Sequence, residues 1–67
     1  MNKEYTVSWD GYGERACVVS PNGYYYAAVE ARCLMPGSAT EKQREDAVRE
    51  AVSRASKIAK ALYEASL

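Results

Sequence analysis

The chain has 67 residues, no histidine, nine Lys and Arg against nine Asp and Glu, and 48% hydrophobic residues. One domain with a marginal core follows, because a domain of ~60 residues buries only about 60% of the surface its unfolded chain exposes. Balanced charge speaks against a non-specific nucleic-acid binder, whose affinity comes from Lys and Arg on phosphates, and no run approaches the ~20 apolar residues of a membrane span.

Met1-Asn2-Lys3-Glu4 leads into a strand without an apolar signal-peptide core, so a cytoplasmic location is expected. The first predicted strand is roughly Glu4 to Trp9, where Tyr5, Val7 and Trp9 alternate with polar residues. Asp10-Gly11-Tyr12-Gly13 supplies a turn, and the second strand runs from about Glu14 to Val19. Ser20-Pro21-Asn22-Gly23 makes the next turn, since proline presets φ and Asn and Gly tolerate the left-handed region. The third strand then extends from Tyr24 to about Leu34.

Four-residue loops at both turns set Trp9 against Glu14 and Val19 against Tyr24. One face of the meander then carries Tyr5, Val7, Trp9, Ala16, Val18, Tyr25, Ala27, Val29, Ala31 and Cys33. The other carries Glu4, Thr6, Ser8, Arg15, Cys17, Val19, Tyr24, Tyr26, Ala28, Glu30 and Arg32. Sliding either hairpin by one residue mixes the two sets, and burial of one face resists that. Cys17 and Cys33 point to different faces, so two free thiols are expected.

At Met35-Pro36-Gly37-Ser38 the apolar period changes from two to near 3.6. A helix is predicted from about Thr40 to Ala65, opened by a capping box of Ser38 with Glu41 or of Thr40 with Gln43. Glu45 with Arg49 and Glu50 with Arg54 are i,i+4 pairs on its outer side. Ala47, Ala51, Ala55 and Ala59 form one ridge, flanked by Val48, Val52, Ile58 and Leu62. The fold class is therefore α+β: a three-stranded antiparallel meander over residues 4–34, then one long helix over 40–65 packed on one face, all in a single domain.

Length arguments point to a homodimer. A helix of ~26 residues is about 39 Å long, whereas a six-residue strand spans about 20 Å. In this register the third strand outlasts its neighbour by roughly five residues, leaving an edge that needs a partner. The expected dimer interface is Ala31, Cys33, Ala55, Ala59 and Leu62.

Six tyrosines and no phenylalanine suggest rings that need a polar end. Tyr24 and Tyr26 on the open face, with Arg15, Arg32, Glu30 and the turn-tip Tyr12, form the candidate partner-binding set. Tyr and Arg are enriched at interface hot spots; the same rings could stack on unpaired bases, or serve only as good strand formers on a solvated face. No histidine, phosphate loop or activated nucleophile is present, so neither catalysis nor a cofactor or metal is expected.

The same element order occurs in the arm-type DNA-binding domains of tyrosine integrases and in the plant AP2 domain, without a shared motif here. The reading is a small non-enzymatic adaptor or inhibitor, a homodimer contacting a larger protein, of the kind phages and mobile elements encode. The alternative is a small DNA- or RNA-binding regulator using the sheet or the basic later turns of the helix, Arg54, Lys57 and Lys60.

Overall fold

A computed structural model describes residues 4–67; Met1–Lys3, on which the leader reading rests, lie outside the described residues. Strands β1 (Thr6–Asp10), β2 (Arg15–Val19) and β3 (Tyr25–Glu30) form one antiparallel sheet in the order β1-β2-β3. A short 3₁₀ helix (Ala31–Leu34) follows, and then α1 (Glu41–Ala65). The helix packs on one face of the sheet and touches all three strands, so the βββα architecture expected from the sequence is present. No helix among the described residues is long and apolar enough to cross a membrane.

Both hairpins are displaced by two residues from the expected register. Trp9 pairs with Ala16 and Asp10 with Arg15, so the first loop is Gly11 to Glu14. Asp10 closes the strand rather than opening the turn. Its Oδ1 accepts from the Tyr12 and Gly13 amides at 3.0 and 3.3 Å, and Oδ2 accepts from Arg15 Nε at 3.1 Å. The left-handed position of this loop falls on Glu14, at φ 50°, where a side chain is strained. A shift of two preserves parity, so Val7, Trp9, Ala16, Val18, Ala27 and Val29 still share the helix-facing side.

The second hairpin is irregular. Gly23 N–H donates to the Ser20 carbonyl at 2.9 Å, and Gly23 takes the left-handed backbone, φ 90°, that the turn requires. Ala27 pairs with Val18, yet Tyr25 pairs with Val19, so β3 carries one extra residue there. That bulge overturns the core assignment of Tyr25. Residues paired across strands share a face, so Tyr25 follows Val19 to the helix-free side, and it is 77% exposed.

The third strand is also shorter than expected. It ends at Glu30, opposite Arg15. The Ala31 N–H makes a last bond to the Glu14 carbonyl at 2.9 Å. Beyond Glu14 the chain turns away, and an extended segment would leave its backbone groups without partners. The chain instead coils into the 3₁₀ helix and bends over α1, where Ala31 is fully buried and Leu34 and Met35 pack against the core. The five-residue overhang from which a dimer was inferred is therefore absent, because the segment covers its own helix.

Helix α1 starts with the capping box of Thr40 and Gln43: Gln43 N–H donates to Thr40 Oγ1 at 3.2 Å, and Thr40 N–H to Gln43 Oε1 at 2.8 Å. Glu50 and Arg54 pair as expected at 2.9 Å, whereas Arg49 meets Asp46, at 3.6 Å. The predicted ridge is the buried one: Ala47, Ala51, Ala55 and Ala59. With Ala16, Ala31, Cys17 and Val18 they are the buried hydrophobic residues among those described, and Val18 is the largest side chain of these that is fully enclosed. Six of those eight are alanine, so helix and sheet approach closely but bury few carbon atoms beyond Cβ.

Candidate functional site

The helix-free face of the sheet carries a shallow groove of about 350 Å³. Asp10 and Arg15 form one end, Cys17 and Ala28 lie along its floor, and Tyr25 and Tyr26 line it from β3. The geometry comes from the hairpins. Gly13 leaves room for the Arg15 guanidinium, since a Cβ there would sit 2.7 Å from Arg15 Nε. The guanidinium hydrogen bond holds the Asp10 carboxyl below its ordinary range, helped by the Gly13 and Tyr12 amides. Asp10 in turn raises the affinity of Arg15 for its proton. This fixes a cation and its counter-ion at the groove's end without net charge.

At the other end the β3 bulge exposes three consecutive rings. Tyr24 is 74%, Tyr25 77% and Tyr26 62% exposed. Tyr26 meets Tyr5 edge to face, with centroids 5.8 Å apart and planes at 82°, a contact worth about 0.5–1.5 kcal/mol beyond its area. Tyr5 also packs on the core and borders Tyr63 on α1. Five of the six tyrosines thus gather at the end of the molecule formed by the second hairpin and the last turns of α1.

The sequence-predicted set is divided by this arrangement. Arg15, Tyr24 and Tyr26 belong to the groove and its tyrosine end. Glu30 is paired with Arg15 across the ladder, beside the ion-pair end of the groove and away from the tyrosine cluster. Tyr12 stands fully exposed at the tip of the first hairpin, beyond the far end of β2 from the tyrosine cluster. Arg32 is exposed on the 3₁₀ helix, off the sheet. Tyr25, Asp10 and Cys17 were not assigned to the binding set from the sequence. The Pro-Asn-Gly turn beside Tyr25 was the one available signal of an irregular hairpin.

The predicted dimer residues are likewise divided. Ala31, Ala55 and Ala59 are buried within their own chain, so they cannot face a second copy without unfolding. Leu62 is half-buried against the core, and Cys33 is exposed. Both cysteines are free thiols, as expected. Among the described residues no group of His, Cys, Asp and Glu could hold a metal ion. No family model, curated protein or solved structure matches this chain.

Proposed function

We propose that the protein is a small non-enzymatic interaction protein, an adaptor or inhibitor, that works as a homodimer and contacts a larger protein through its tyrosine-bearing sheet face. The observation that carries this reading is the run of exposed rings, Tyr24 to Tyr26, beside a groove ending in a fixed Arg15–Asp10 pair. Tyrosine supplies contact area on a stiff side chain, and its hydroxyl finds partners at a half-wet surface. Cys17 and Ala28 keep the floor low, so a partner's side chain can lie flat between the rings and the ion pair.

The same observation favours a protein over a nucleic acid. A phosphate backbone needs cations free to replace its counterions. Arg15 already holds Asp10, and Glu30 is its neighbour across the ladder. Support for self-association comes from the core, which is mostly alanine and leaves Trp9 40% exposed on the helix-facing side.

The test compares wild type with Tyr24→Ser/Tyr25→Ser as bait in the native host, followed by affinity measurement against the captured protein. The double variant keeps its melting temperature and binds at least about tenfold more weakly, as expected where hot-spot aromatics are lost. Equal affinity would remove the tyrosine face from the function. A shift of labelled oligonucleotide that collapses between two salt concentrations would favour the regulator reading instead.

A further inference from the structure

The homodimer reading leaves open which element joins the copies, and the structure directs attention to β1. Both β1 and β3 are outer strands. β3 is blunted, because its bulge breaks the ladder near Val18 and Val19 and its end passes into the 3₁₀ helix. β1 has no such protection. Thr6-Val7-Ser8-Trp9-Asp10 pairs regularly with β2 over its whole length, with no proline, lysine or bulge along it. An outer strand of that kind is a template for pairing.

We propose that β1 pairs antiparallel with β1 of a second copy, about a two-fold axis through Ser8, giving a six-stranded sheet with both helices on one side. The register follows from the strand itself. Ser8 is the middle of its five residues. Pairing about Ser8 sets Val7 opposite Trp9 of the second copy and Thr6 opposite its Asp10. Every β1 residue then has a partner, and the apolar side of one copy continues into that of the other. A slip by one residue opposes apolar to polar side chains throughout.

Area supports a second copy as the occupant. The folded chain exposes 4962 Å². A compact monomer of 7.4 kDa is expected to expose roughly 4,200 Å². The excess, roughly 750 Å², is spread over a chain 43 Å long and 13 Å thick, and the part of it along β1 is what a second copy covers. The unfilled volume is also in the right place. Between β1 and the C-terminal half of α1 runs an open groove of about 290 Å³, bordered by Tyr5, Val7, Ser56, Lys60 and Tyr63. Val48 and Val52, both half-buried, continue the row of Ser56 and Lys60 on that side of the helix.

In the six-stranded sheet, helices centred on the two β2 strands stand three strand spacings apart, about 14 Å. Packed helices stand 8–10 Å apart. The difference calls for large side chains between them, and Trp9, Tyr5 and Tyr63 from each copy occupy that strip.

Light scattering coupled to size exclusion, over a dilution series down from about 100 µM, reads the dimer dissociation midpoint of wild type, Ser8→Lys and Ser8→Glu. Ser8 is exposed, so neither change touches the core. Like charges facing each other across the axis weaken the dimer by up to about fivefold, and an equimolar mixture of the two variants recovers it as a heterodimer of twice the 7.4 kDa chain mass. A monomeric wild type overturns the homodimer reading altogether. A dimer that both variants leave unchanged keeps that reading and overturns the β1 edge. Amide exchange on wild type provides a readout independent of the variants: protection of β1 amides rises with protein concentration, and concentration-independent protection counts against the edge.

Discussion

Val18→Ala is the most informative single truncation in this fold. Val18 is the largest fully enclosed side chain among the described residues, on the central strand β2, and it faces the alanine ridge of α1. Two methyl groups leave, at about 0.8 kcal/mol each for lost burial. The ridge offers only Cβ atoms and cannot collapse far into the space. A residual cavity of roughly 40 Å³ adds about 1 kcal/mol at ~24 cal/mol per Å³. The loss is thus about 2.5 kcal/mol, from a domain whose core supplies roughly 3–5 kcal/mol in all. Urea unfolding followed by far-UV circular dichroism measures it, and the thermal midpoint falls by about 10–20 °C. Val19→Ala is the control: Val19 is half-buried beside the bulge and loses less than about 1 kcal/mol. A Val18→Ala loss below about 1 kcal/mol would refute the reasoning, because stability would then reside somewhere other than this alanine-lined interface.

Ala55→Glu drives an unpaired carboxylate into a position with no exposure and leaves the chain largely unfolded at 25 °C; a cooperative melt within a few degrees of wild type would mean the ridge is wrongly phased. Glu14→Gly removes the cost of a left-handed side chain, roughly 1–2 kcal/mol, against a chain-entropy loss of about 0.5–1 kcal/mol, so the melt stays level or rises; a clear fall would show that the 3.6 Å contact of Glu14 with Arg44 matters more than its exposure allows. The Asp10 carboxyl is held below its ordinary value in the folded chain, so its contribution is present above about pH 4 and fades as pH falls through the lowered folded value; an Asp10 resonance titrating at or above the usual carboxylate midpoint by NMR would dissolve the Asp10–Arg15 anchor. Cys33 reacts with an aromatic disulfide reagent at once and Cys17 only on unfolding, giving two thiols per denatured chain; equal rates would contradict the burial of Cys17.

Much of this fold was legible because parity is robust. Asp10 was read as a turn residue, yet its carboxylate holds the turn from the last position of the strand. That displaces the first hairpin by two residues and leaves the paired side chains of β1 and β2 from Val7 to Val18 on their expected faces. The bulge at Tyr25 was not legible, since one inserted residue changes a face without changing the apolar alternation around it. The third strand misled for a related reason. Ala31 and Cys33 continue the alternation of β3, but alternation reports which side chains could be buried, not whether a neighbouring strand exists. Glu14 O is the last acceptor available, so the backbone turns to local bonds after Ala31. The placement of the candidate residues shifts accordingly: Tyr25 and Asp10 line the groove on the helix-free face, and Arg32 stands on the 3₁₀ helix beyond the end of β3.

The alanine ridge of α1 has a consequence along the helix axis. Ala47, Ala51, Ala55 and Ala59 present Val18 with nearly the same surface after each turn, a step of about 5.4 Å. A ridge of mixed sizes would act as a key; this one is a rail. Its longitudinal position is therefore set at the extremities, by Leu34 and Met35 at one end and by Tyr5 beside Tyr63 at the other. One turn along such a rail equals the stride of the one-turn ratchets that switch subunit interfaces, and the end contacts are what distinguish one position from the next.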